Sequence, residues 1–176
     1  MGNPLAKILE NKTVRLLPLS DEHEDVFIKL ANIREINQRV NKPFPYTEKH
    51  FSEHLANIAK ATNHFVWMIE QDGMLMGVIN SAAGRHPKLF QGGYWVHPDA
   101  WGQGCATTAL LLVKDFLLNE CGAERIQAVV EPHNTASIRV LEKCGYSREG
   151  LLKKFYPSIS GALIDVFMYA VVKSAH

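Results

Sequence analysis

The stretch Gly93-Tyr94-Trp95-Val96-His97-Pro98-Asp99-Ala100-Trp101-Gly102-Gln103-Gly104-Cys105-Ala106-Thr107 reads as a strand, a tight turn and the start of a helix. Gly102, Gly104 and Ala106 are small at alternate positions. The first turn of a helix leaves about four backbone N–H groups without partners and carries a partial positive charge. Where no bulky side chain covers them, such amides receive a diphosphate. The segment is therefore a candidate anion cradle; the plainer alternative is a glycine turn that lets strand and helix pack closely. It is not a Walker loop, which ends in Gly-Lys-Ser/Thr, nor the dinucleotide fingerprint, because Thr107 stands where a third small residue is required. A second pattern, His50-Phe51-Ser52-Glu53-His54, matches the H-x-x-E-H of a class of zinc hydrolases. Its two histidines would share a helix face and Glu53 could assist a metal-bound water, but no further acidic ligand announces itself. The alternative, a polar helix face opposite Phe51, Leu55 and Ile58, is preferred, and no metal is expected.

The elements that must carry these residues follow from periodicity. Thr13 to Leu17 predicts a short strand ended by Pro18, and Ser20 caps a helix reaching about Leu30. A short helix is expected over Ile33 to Val40, then an irregular stretch at Lys42-Pro43-Phe44-Pro45-Tyr46, where two prolines forbid helix. Thr47 caps a helix to about Ala61. Phe65 to Ile69, Met74 to Ala82 and Phe90 to His97 predict three antiparallel strands, the first two joined at Asp72-Gly73. From Gly104 the period is helical, with Ala106, Ala109, Leu110, Val113, Phe116 and Leu117 on one face and Gly122 as the stop. Arg125 to Val130 is a strand, which the preceding crossover helix makes parallel to its neighbour. Asn134 starts a further helix, with Ile138, Leu141 and Cys144 inward and Arg139, Glu142 and Lys143 outward. Tyr146 and Leu163 to Val172 bracket the last strands. The expected fold class is α/β (α+β mixed): a central, mostly antiparallel mixed sheet of about seven strands with helices on both faces.

A third segment tips the reading of the glycine turn. Val129-Val130-Glu131-Pro132-His133-Asn134-Thr135-Ala136-Ser137 lies one strand–helix unit downstream and leads to Lys143-Cys144-Gly145-Tyr146. Together the two segments resemble the cofactor-binding signature of the GCN5-related N-acetyltransferases (GNAT). They are most similar to the RimJ/RimL-like branch, which modifies ribosomal-protein N-termini. Gly93-Tyr94-Trp95-Val96, Pro45-Tyr46-Thr47, Glu149-Gly150 and Asp165-Val166-Phe167-Met168-Tyr169 also fall where the branch has similar residues, so the likeness covers residues 1–176 as one GNAT domain. Trp101 stands where the superfamily often has Arg or Gln, a departure that suits this branch.

The resemblance implies an acetyl-CoA-dependent N-acetyltransferase in which a primary amine attacks the thioester directly, without an acyl-enzyme. It implies that coenzyme A lies along Trp95 and Val96, with its diphosphate on the turn Trp101, Gly102, Gln103, Gly104, Cys105, Ala106 and Thr107. Asn134 would touch the pantetheine arm, and Ser137 would stand near the sulfur, to serve the leaving thiolate. The tyrosine that other branches carry seven residues after the asparagine is absent; Leu141 is there. Glu131 is the candidate base, directly or through water, or else a solvated strand-end carboxylate. Tyr156 lies where close relatives can carry a glutamate base. Asp165 serves the site or a structural hydrogen bond, and His97 and His133 read as polar loop residues. Phe44 and Tyr46 would wall the acceptor channel, or simply pack their loop down. Cys105 reads as a small buried residue, although a helix N-terminus could lower its pKa and make alkylation block the site. Without an obvious strong base, an α-amine of pKa about 8 is a more plausible acceptor than a lysine of about 10.4.

Composition sets the outer bounds. Hydrophobic residues make up 47% and charged residues 21%, which excludes disorder and coiled coil, and a net charge of +1 offers no field for nucleic acid or an anionic membrane. The chain shows no signal peptide or membrane span, and its three cysteines form no disulfide framework, so a cytoplasmic protein is expected. The Asn11-Lys12-Thr13 sequon then reads as chance. The expected partner is an amine, on a protein N-terminus or a small molecule, with the chain a monomer or homodimer. A remoter reading keeps acyl-CoA binding without catalysis, as a sensor module.

Overall fold

The computed structural model describes residues 7–40, 42–158 and 160–173. Strands Leu9–Glu10 (β1) and Val14–Pro18 (β2) precede helices Glu24–Ala31 (α1), Arg34–Asn37 (α2) and Glu48–Lys60 (α3). The meander His64–Gln71 (β3), Met74–Ala83 (β4) and Leu89–Val96 (β5) leads to helix Cys105–Asn119 (α4). Strand Arg125–Val130 (β6), helix Thr135–Lys143 (α5) and strands Ser147–Pro157 (β7) and Leu163–Val172 (β8) follow. The strands form one sheet of eight in the order β1-β2-β3-β4-β5-β6-β8-β7. The strand beyond the expected seven is β1, two residues too short to show any period and held by pairing Leu9 with Leu16. Only β5 and β6 run parallel, as the α4 crossover requires.

Two helical layers cover the sheet, and β3 shows why. Its residues Phe65, Trp67 and Ile69 face one layer while Val66 and Met68 face the other, and all five are buried. A strand covered on both sides reads as a continuous apolar run rather than an alternating one. On the first face the Phe65 ring stacks on Trp67 at 5.6 Å, and Phe116 of α4 meets the two edge-on at 5.3 and 5.8 Å. On the second, Phe27 of α1 packs against Tyr46, Phe51 and Trp95 at 5.5, 5.3 and 5.5 Å.

The helix starts carry side-chain caps of an unusual kind. At Ser20 and at Thr47 the residue three positions on is a histidine, and each returns its Nδ1 to the cap backbone N–H at 3.1 Å. His23 and His50 thus take the role that Glu or Gln fills in a capping box. The helix expected over Ile33 to Val40 is a single α-turn, because after Asn37 the backbone tightens: the Arg39 N–H donates to the Ile36 carbonyl, three residues back.

The feature that makes the site is a parting of strands. β5 and β6 pair only over Leu89–Gln91 and Arg125–Gln127. Beyond that, β5 stays with β4 as far as Val96 while β6 follows β8 to Val130. Gly92 stands where they part, and a Cβ there would run into the Asn80 carbonyl oxygen on β4. The next N–H, of Gly93, is taken by the Asn80 side chain at 2.9 Å. Gly92→Ala must push β4 from β5 or shift the bend, and is expected to cost about 1–3 kcal/mol. A lowered urea midpoint checks this; an unchanged midpoint would mean the strands do not approach so closely.

Candidate active site

The α4 N-terminus opens into a cavity of about 470 Å³. Gly102 and Gly104 hold left-handed φ values of 74° and 82°, a region that favours glycine, and Gly104 is the N-cap. This turn brings the N–H groups of Gly102 to Thr107 to the helix start. The first backbone bond of the helix is Thr108 N–H to the Gly104 carbonyl, and none of the six preceding amides makes a hydrogen bond of normal geometry to a described residue. A Cβ at either glycine would meet open space. Among the described residues, Arg39, Arg139 and Lys143 line the cavity against a single carboxylate, Glu35. Bare amides, room in front of them and excess positive charge fit a polyphosphate such as that of coenzyme A.

A second groove, also about 470 Å³, lies between the parted strands. The two cavities share Arg39, Val40, Tyr94, Trp95, Asn134 and Ser137, so they meet at one junction. Main-chain groups are available there. The His97 N–H donates to the Met76 carbonyl at 2.6 Å, so ladder alternation turns the Tyr94 and Val96 groups away from β4, toward the gap. The Val96 carbonyl is taken by the Trp101 indole at 3.0 Å. Asn134 caps α5, accepting from the Ser137 N–H at 3.2 Å, which fixes both residues at the junction. The Tyr94 hydroxyl is buried and makes no hydrogen bond of normal geometry, although Ser137 is near enough to bear on it electrostatically. Burial pushes its pKa up to about 12 against a smaller opposing pull from the Ser137 side chain, so at neutral pH it is a protonated hydroxyl facing Ser137.

The expected site residues divide by place. Trp101, Gly102, Gly104, Cys105, Ala106 and Thr107 line the first cavity, Glu131 and Tyr156 the second, and Asn134 and Ser137 both. Trp95 and Val96 line the first cavity, but the Trp95 ring packs on Phe27 and the Val96 side chain is in the core. Gln103 offers only its main chain: its side chain turns back to the Asp99 carbonyl and lines a different depression. Cys105 is the small buried residue expected, and burial pushes its thiol pKa up to about 11. Asp165 accepts from the Lys154 N–H at 2.8 Å, the structural alternative.

Of the two readings of Phe44 and Tyr46, Tyr46 takes the loop-packing one and Phe44 takes neither. Phe44 is 66% exposed and lines neither cavity, and Tyr46 is buried against Phe27, with its hydroxyl donating to the His50 carbonyl at 3.2 Å. Arg39, Val40 and Lys42 line the groove instead. Neither cation belongs to a motif, so only the fold could show them. Tyr94 was readable as strand, but its orphan hydroxyl needed the packing.

The histidine pattern has a structural use. His50 closes the Thr47 cap, and His54 is not on a polar face: its ring lies 5.8 Å from that of Phe27. No group of three metal-ligating residues occurs among the described residues.

Known proteins place this arrangement in a class. Residues 13–147 match the family model described as "Acetyltransferase (GNAT) domain". The Probable N-acetyltransferase YjcK of Bacillus subtilis is 30% identical over 159 residues, covering 84% of this chain and 87% of that protein. The Uncharacterized N-acetyltransferase p20 of Bacillus licheniformis is 38% identical over 81 residues, 46% of this chain and 45% of that protein, so the alignment spans under half of this relative. RimJ of Mycobacterium smegmatis, solved with a CoA-disulfide, superposes with a TM-score of 0.81 at 25% identity, covering 98% of this chain and 90% of that one. The chain belongs to the GNAT acetyltransferase family, whose members are acyl-transferring enzymes, and it is RimJ/RimL-like within it.

Burial, with Lys42 and His64 nearby, lowers the His54 pKa from 6.5 to about 4. A depressed pKa means the unfolded chain binds the proton more tightly, so stability present above pH 6.5 is lost as pH falls toward 4. His54→Phe should flatten the acid limb of denaturant stability across that window. An unchanged pH dependence would place His54 in water.

Proposed function

We propose that the chain transfers an acetyl group from acetyl-CoA to a primary amine within a ternary complex. The supporting observation is the junction: a cavity floored by the free amides of Gly102 to Thr107 meets a second groove at Tyr94, Asn134 and Ser137. Acetyl-CoA, when bound, supplies the acetyl group on an activated thioester. The α4 amides, with Arg139 and Lys143, hold its phosphates, and the main-chain donors of β5 orient and polarise the acyl end. Ser137 and Tyr94 supply hydroxyl donors where negative charge collects on the departing side. Glu131 stands at the open end of the groove, half-exposed and 3.4 Å from His133 Nε2, and takes the amine proton directly or through water. Tyr156, on the facing strand β7, lines the same groove and orders the acceptor or that water.

No helix among the described residues is long and apolar enough to cross a membrane, and in this reading the enzyme works in the cytoplasm. Bound coenzyme in the solved RimJ supports the donor assignment.

Ala106 lies in the first helical turn of the cradle and is partly exposed to its cavity. Ala106→Glu should abolish coenzyme A binding by calorimetry while leaving the circular dichroism unchanged; retained affinity would refute the cofactor site. Ser137→Ala and Tyr94→Phe should each lower kcat by about tenfold or more with coenzyme affinity nearly intact. Unaffected rates would remove both hydroxyls from the chemistry, and coenzyme binding without thiol release on any amine would favour a binding module.

A further inference from the structure

The acceptor groove has the wrong charge for a polycation. Arg39 and Lys42 line it, while Glu131, beside His133, is its one carboxylate among the described residues. Lys42 carries the argument furthest. Its ammonium lies 5.3 Å from the Phe27 ring centroid and 5.4 Å from that of Tyr46, and the residue is partly buried. No described carboxylate pairs with it, and desolvation alone draws its pKa down. Aromatic faces attract a cation by about 0.5–2 kcal/mol, less than a buried charge loses with its water. A lysine held this way is satisfied by an anion that arrives with a ligand.

The groove's size and ends define that ligand. About 470 Å³ suits a molecule of amino-acid to dipeptide size. Ser137 and Glu131 mark the reacting end, and Lys42 lies on the α2–α3 connection of the same groove.

Resting on the acetyl-transfer reading, we propose that the acceptor is an amine carrying a carboxylate within a few bonds of the reacting nitrogen, with Lys42 receiving the carboxylate. Two sources share this chemistry: a free amino acid, and a peptide whose first side chain is acidic. Polyamines lack it and would place further positive charge beside Arg39 and Lys42.

The test uses the whole chain with acetyl-CoA and matched amines: glutamate against its diamide, a tripeptide amide beginning with Asp against one beginning with Lys, and spermidine. Thiol release gives kcat/KM, and calorimetry with coenzyme A present gives acceptor binding. The carboxylate member of at least one pair should be preferred by about tenfold or more, the size of one charge-assisted hydrogen bond. Which pair responds separates the two sources. Lys42→Met should erase most of that preference through KM and weaken binding of the anionic acceptor, while Lys42→Arg retains it. Equal turnover of carboxylate and amide, faster turnover of spermidine, or a ratio unmoved by Lys42→Met overturns the proposal and leaves acetyl transfer standing. Binding of the carboxylate amine that depends on Lys42, without any turnover, upholds the anion site and overturns acetyl transfer. Absence of both turnover and binding across the panel overturns the proposal.

Discussion

The structure turns on hydrogen bonds that β5 and β6 do not make. The pair is bonded only as far as Gln91 and Gln127, and then each strand keeps its other neighbour. Inside a continuous sheet the next main-chain groups would be spent on the ladder. Here they border a gap that is roofed from one side by α4 and α5 and from the other by the α2–α3 connection. Unpaired backbone in a partly buried place is costly unless a ligand or water completes it. That requirement suits the parted strands to a ligand, as the proposed function uses them.

Two helix starts complete what the gap begins. At α4, left-handed glycines bring up a row of amides with no acceptor. At α5, Asn134 spends its own oxygen on the cap and so fixes Ser137 at the junction. The same element thus closes a helix and presents a hydroxyl. Around these fixed parts the side chains differ in freedom. The Tyr94 hydroxyl is buried, whereas Glu131 and Tyr156 are partly open to solvent. The cavity at α4 is built by backbone, and the groove beside it is shaped by side chains.

Burial sets the electrostatics more than proximity does. The Cys105 thiol is buried at the start of α4, and desolvation pushes its pKa up to about 11, so it stays protonated at neutral pH. Lys42 shows the same balance from the cationic side, since nearby rings do not replace its lost hydration. His54 is held neutral in the α1–α3 layer for the same reason.

Much of this was legible in one dimension. Periodicity placed the meander, the crossover pair and the two long helices, because a chain of this size must cover each apolar stripe and each helix end needs a local cap. The glycine turn and the Asn134–Ser137 spacing were readable because both act through main chain and neighbours a few residues away. β1 was not, since two residues carry no period and their partner strand supplies the order. The surroundings of His54 were not legible for a related reason: sequence shows which residues share a helix face, not what that face meets. Arg39, Lys42 and the buried Tyr94 hydroxyl entered the site only through contacts between elements distant in sequence. Local spacing identified the groups that act through their own backbone. The charge and shape of the acceptor groove came from packing, because they are sums over side chains that no single segment contains.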